Sequence, residues 1–225
     1  MPSIQLNLIS QNTVEINVER LIIAGWAGRN IEAIEEHIKE LEELGVKRPN
    51  SVPCFYQVST DLLTTENNIQ VIEQNSSGEV ECVLINSDYG LLIAIGSDHT
   101  DRKVESYNVA VSKQVCAKPL SSDAWLYSDV QNHWDDLIMR SYRIINGEKE
   151  LYQQGSTQNL LNLPDLIQKL THTQEFPKNH AMFCGTQAVL TQIAHGDEFT
   201  LELHDPILNR TLSHHYTVTT LDMVE

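Results

Sequence analysis

From Pro49 onward the chain is a succession of short β-branched or aromatic runs. "VPCFYQVS", "NIQVIE", "EVECVLINS" and "GLLIAIGSD" are separated by turn sequences such as "NSSG" and "SDYG". Runs of this length, bounded by Gly, Asn, Asp and Ser, form strands rather than helices. No window is apolar for long enough to span a bilayer, which takes about 20 residues. The pattern therefore restricts the chain to a β-dominated α+β fold of one domain. The opening "SIQLNLI" and "VEINVERLIIAGW" add two strands, the second ending fully apolar as a buried strand does. "LIMRSYRII", "ELYQQGST", "EFTLELHDP" and "TLSHHYTVTTLD" supply the later strands.

The clearest helix is "NIEAIEEHIKELEELG", with Asn30 as N-cap and Ile31, Ile34, Ile38, Leu41 and Leu44 at three- and four-residue spacing. Glu32 and Glu35 suit its N-terminal dipole, and Gly45 stops it. A second helix is expected over "LPDLIQKLTHT", with Pro164 in its first turn. A helix or turn is expected from Thr100, where Val104, Tyr107 and Val111 have helical spacing, and Ser128 is a candidate cap for another short helix.

The 225 residues are 41% hydrophobic and 20% charged, the composition of a globular protein. A formal charge of −16 excludes a phosphate-backbone nucleic-acid binder, which needs clustered Lys and Arg. The N-terminus "MPSIQLNLIS" has no basic flank or long apolar core, which points to a cytoplasmic protein. Four scattered cysteines without a CxxC pair suit neither a zinc knuckle nor a disulfide framework.

Several constellations could carry chemistry. In "GEVEC", Glu79 and Glu81 lie two apart on one strand face, where like charges need a cation, an arginine or a shared proton. Mg2+ or Mn2+ is one answer; a solvated strand face is the other. "GSDHTDR" delivers Asp98, His99, Asp101 and Arg102 from the end of an apolar strand, either as a site or as a capped helix start. His37 and Glu40 are neighbours at i, i+3, the geometry of a general base with its orienting carboxylate, and equally of a solvated helix flank. The turns in "FCGTQ" and "YQQGSTQNLL" present backbone N–H groups and threonines. Cys184 has no basic neighbour in sequence to activate it, and of His214 and His215 at most one can face a pocket.

In order along the chain, "AGRN", His37-Ile38-Lys39-Glu40, "VPCFYQVSTDLL", "EVEC", "YQQGSTQNLLNLPDLI", "FCGTQ", "HGDEF" and "TLELHDP" resemble the fumarylacetoacetate hydrolase superfamily, more closely an uncharacterised bacterial branch related to it. The resemblance covers most of residues 20 to 206. It implies a mixed β-roll with short peripheral helices, residues 1–50 giving N-terminal strands and a helix and 51–225 the β-roll core. It also implies a homodimer and cleavage or rearrangement of a small 2-oxo or β-dicarbonyl carboxylate at a divalent cation. Carried over, Glu79 and Glu81 are ligands, His37 and Glu40 a water-activating dyad, and Thr157 and Thr186 substrate contacts. The family's third acidic ligand has no counterpart in residues 108–114, so Asp98, His99 or Asp101 is expected to replace it. Arg102, Lys113 and Lys118 are the candidates for binding an acidic substrate. The alternative is a non-catalytic acid-binding or scaffold protein of the same fold that has lost its metal.

Overall fold

The computed structural model describes residues 3–8, 13–43 and 48–222, except the side chains of His37, Glu40 and Leu41. The chain begins with β1 (Ser3–Leu8), β2 (Thr13–Asn17), β3 (Arg20–Gly25), α1 (Ile31–Glu43) and β4 (Cys54–Val58). It continues through β5 (Leu63–Thr64), β6 (Asn68–Ile72), β7 (Ser76–Ser77), β8 (Val80–Ser87), β9 (Gly90–Ser97) and β10 (Thr100–Asp101). Next come α2 (Arg102–Glu105), α3 (Val109–Gln114), β11 (Lys118–Pro119), β12 (Asp123–Leu126) and α4 (Tyr127–Val130). The last elements are β13 (Ile138–Ile145), β14 (Glu148–Ser156), α5 (Leu163–Thr171), β15 (His180–Thr186), β16 (Glu198–Asp205) and β17 (Arg210–Leu221).

Two sheets dominate. One has eight strands in the order β2-β1-β12-β9-β8-β15-β3-β4, and the other five in the order β14-β13-β16-β17-β6. The N-terminal strand β3 lies inside the larger sheet, parallel to β15 and antiparallel to β4. β8 sits between β9 and β15 and is buried almost throughout. That position explains its nearly continuous apolar sequence, since both faces need apolar side chains. One face contributes Cys82 and Leu84 to a core shared with Met139, Tyr152, Leu201 and Tyr216 of the smaller sheet. The other contributes Val83 and Ile85 to a second core with Leu6, Leu21, Phe183 and Leu120. By contrast β16 alternates regularly between buried and partly exposed residues, as a sheet with one covered face does.

The helices follow their caps. Asn30 Oδ1 accepts the N–H groups of Glu32 (3.1 Å) and Ala33 (3.2 Å), and Ile34 and Ile38 are buried. Leu44 and Gly45 lie outside the described residues. Asn162 caps α5, with Pro164 in its first turn. The segment after Thr100, where a helix or turn is expected, forms two short helices. Thr100 and Asp101 pair with β7, and the helix is divided because Asp101 caps α2 and Asn108 caps α3. Tyr107 is 84% exposed, so the Val104–Tyr107–Val111 spacing is not a buried stripe. Ser128 lies within α4 rather than capping it; Leu126 holds the cap position, without a side-chain bond. No helix among the described residues is long and apolar enough to cross a membrane.

Candidate metal centre

Three carboxylates converge where β8 begins and β9 ends. β8 and β9 pair with Val80 opposite Ser97 and Glu81 opposite Gly96. The Asp98 N–H extends the ladder by donating to Glu79 O at 3.0 Å. Asp98 is thereby set beside Glu79, while Glu81, two residues along, shares the Glu79 face. One ligand atom from each of Glu79, Glu81 and Asp98 lies within 4.8 Å of the others. Glu81 and Asp98 are buried and Glu79 is partly so.

Cations surround the cluster. The Lys113 ammonium contacts Asp98 Oδ2 and lies 3.7 Å from Glu79 Oε2. Arg102 Nη2 is 3.0 Å from Glu79 Oε1, a charge contact rather than an aligned hydrogen bond. The same guanidinium bonds Ser77 (2.7 Å) and Glu105 (2.9 Å). Lys118 is wholly buried and donates to the carbonyls of His99 (2.7 Å), Lys113 (2.5 Å) and Cys116 (3.0 Å). An ammonium has three donors, so Lys118 is filled by backbone.

These surroundings drive the two buried acids apart. For Asp98, burial favours the neutral form, but Lys113 and Lys118 outweigh it and hold the carboxyl below its usual range. For Glu81, burial, then the charges of Asp98 and Glu79, push the pKa well above normal. Burial also opposes the charge of Lys113, yet Asp98 and Glu79 raise its pKa. Burial lowers that of Lys118, with Asp98 partly opposing.

The donor set is all oxygen, as hard divalent ions such as Mg2+ and Mn2+ require. Asp98 Oδ1 is buried without a hydrogen-bond partner, its approach to Lys118 at 3.3 Å being a charge contact only. That oxygen lacks an aligned donor because the Lys118 ammonium is spent on backbone carbonyls, and three clustered carboxylates with an oxygen so left fit a divalent ion.

The other candidates fall around this centre. His99 turns away, its fully buried ring bonding Tyr216 Oη (3.1 Å) and Ser76 Oγ (2.9 Å). Asp101 is occupied as the α2 cap, accepting from the Val104 N–H at 2.9 Å. Thr157 donates to the carbonyl of Trp134, with Leu137 O at 3.4 Å, and is buried. Thr186 lies beside Glu81 in the sheet and donates to Val80 O at 2.9 Å. α1 carries the backbone of His37 and Glu40; their side chains lie outside the described residues.

Three further residues contribute to the centre. Gly185 donates its N–H to Glu81 Oε2 at 2.8 Å from a backbone with φ of +100°, a conformation that favours glycine. It sits where β15 shifts register against β8, a bulge that re-aims the strand. Tyr56 places its ring 5.9 Å from the Lys113 ammonium, and burial, with Cys54 beside it, pushes its phenol up to about 12. Gln153, fully buried on the opposite sheet, reaches the Val80 N–H at 3.0 Å. The "CGT" letters hint at the bulge, whereas Tyr56 and Gln153 arrive by tertiary packing alone.

The strand-dominated architecture, with a curled half-barrel sheet and short helices, is of the fumarylacetoacetate hydrolase type. Residues 24–216 match the family of proteins of unknown function DUF2848, and the chain belongs to that family. No curated protein sequence matches it. In structure it is similar to Cg1458, with a TM-score of 0.67 at 13% identity over 93% of this chain and 80% of that one. It is also similar to 2-keto-3-deoxyarabinonate dehydratase, with a TM-score of 0.67 at 15% identity over 95% and 79% of the two chains. A third similar structure is 2-keto-3-deoxy-D-arabinonate dehydratase complexed with magnesium and 2,5-dioxopentanoate, at 0.65, 15% identity and coverage of 95% and 78%. At such identities the likeness establishes the fold alone.

Proposed function

We propose that the protein is a metal-assisted hydrolase or lyase acting on a small 2-oxo or β-dicarbonyl acid, cytoplasmic and homodimeric. The observation that carries this reading is the Glu79–Glu81–Asp98 cluster, with ligand atoms within 4.8 Å of one another and a buried Asp98 oxygen that accepts no hydrogen bond. These three residues would hold Mg2+ or Mn2+, which when bound supplies Lewis-acid stabilisation of an enolate. Support by analogy comes from the similarly folded dehydratase complexed with magnesium and 2,5-dioxopentanoate.

The chain's own side chains do the remaining work. Arg102 and Lys113 bring positive charge to the rim of Glu79, which favours an anionic substrate in a chain whose formal charge is −16. Lys113 also keeps Asp98 ionised. The family resemblance gives proton abstraction from water to His37, with Glu40, one helical turn away in sequence, to orient it. Thr157 and Thr186, the candidates for substrate contact, donate their hydroxyls to the carbonyls of Trp134 and Val80.

A second reading, a non-catalytic acid-binding or scaffold protein, draws on Lys113. Its ammonium already contacts Asp98 and approaches Glu79, so it partly neutralises the cluster without a metal. Calorimetric titration with Mg2+ and Mn2+ separates the two. The catalytic reading expects saturable binding in the wild type and a loss of at least about tenfold in Glu81→Gln. Wild-type protein that takes up neither ion would place the scaffold reading first.

A further inference from the structure

Where β15 shifts register against β8, side chains meet both backbone polar groups of Val80 in a closed ring. The Val80 N–H donates to Gln153 Oε1 at 3.0 Å. Gln153 Nε2 donates to Thr186 Oγ1 at 2.9 Å, and Thr186 Oγ1 donates to Val80 O at 2.9 Å. Gln153 is filled in both directions: its Oε1 also accepts from Ser141 Oγ at 2.9 Å, and its Nε2 also donates to Gln187 O at 2.6 Å. Reversing the amide would set donor against donor at Val80, so the ring admits one orientation.

The Val80 N–H belongs to the peptide that joins it to Glu79, and its carbonyl to the peptide that joins it to Glu81. Rotation of either peptide swings a carboxylate out of the cluster. We propose that Gln153 and Thr186 together are positioning residues that fix the spacing of Glu79 and Glu81 and thereby set how tightly the cluster holds a divalent cation. The proposal rests on the metal-binding reading above, and it gives Thr186 a role through the backbone rather than at the substrate. Gly185 acts in the same sense, holding Glu81 Oε2 from the adjoining residue.

The test compares Mg2+ and Mn2+ affinity, with melting temperature recorded alongside, in wild type, Thr186→Val and Thr186→Ser. Valine keeps the shape and removes the hydroxyl; serine restores it. Thr186→Val is expected to bind about 10- to 100-fold more weakly while still folded, and Thr186→Ser to recover wild-type affinity, as for residues that orient ligands from behind. Gln153→Met gives a loss of the same order and reads the ring if Thr186→Val does not fold. Thr186→Val with wild-type affinity overturns the proposal and leaves the cation site standing. Thr186→Ser as weak as Thr186→Val transfers the effect to the methyl group and also overturns it. Wild type that binds neither ion overturns the cation site and the proposal together.

Discussion

Replacing Lys118 with methionine is expected to lower the free energy of unfolding by about 3–5 kcal/mol, the scale for removing one partner of a buried charge pair. Methionine matches the length of the stem but supplies no donor. The carbonyls of His99, Lys113 and Cys116 would lose their bonds to Nζ, and each orphaned buried acceptor is penalised. Asp98 would lose one of the two ammonium groups that keep it ionised. Urea unfolding of the metal-free protein measures the effect directly. Lys103→Met is the control, because that lysine is 70% exposed and pairs with Glu73 at 3.3 Å, a contact worth little. A Lys118→Met loss no larger than the control would mean that these carbonyls find other partners, and the structural role would fall. Such a role also bears on function: a lysine whose three donors are all on backbone has none left for a substrate.

The residues that sequence could place are those whose geometry is local. Alternation within "EVEC" puts Glu79 and Glu81 on one face wherever the strand lies, and Asn30 announces α1 by its own side chain. Choosing among Asp98, His99 and Asp101 needed the β8–β9 register, which is set by the hairpin between Asn86 and Leu91 rather than by the acids themselves. That register puts Asp98 opposite Glu79. His99 is drawn into the space between the sheets by Ser76 and Tyr216, residues far from it in sequence. Asp101 had a local role as a cap, and the local role prevailed. The threonines show the same limit in another form. A Gly-Thr turn suggests a free hydroxyl, but the bulge in β15 turns Thr186 onto Val80. Thr157 is consumed by the carbonyls that end the segment before β13. Long-range packing decided each of these, and periodicity holds no information about it.

Acidification should destabilise the protein between pH 6.5 and 4, by roughly 3 kcal/mol through His214 alone. His214 is 6% exposed on β17, stacked on the ring of Tyr216 with centroids 6.0 Å apart. Its Nε2 is buried without a hydrogen-bond partner. Burial, then the neighbouring His215, lowers its pKa to about 4, with a backbone bond at Glu66 opposing. Unfolding returns the imidazole to water, where it titrates near 6.5. Below that value the unfolded chain takes a proton the folded one refuses, so stability present at neutral pH falls until the folded pKa is reached. His99, pushed well down by burial and then by Lys118 and Arg102, adds a loss of the same sign. Glu81 works in the opposite sense. Its raised pKa contributes stability that is full below the usual glutamate range and is lost as pH rises through the folded value. Asp98, held low, makes its contribution above the usual aspartate range and loses it only as pH falls further. The histidine loss is isolated by comparing urea unfolding of wild type and His214→Phe in EDTA at pH 7 and pH 4. The phenylalanine variant should lose roughly 3 kcal/mol less than wild type over that interval. Equal losses in the two proteins would show that His214 is protonated in the folded state at pH 4 without penalty, and that its burial does not govern acid stability.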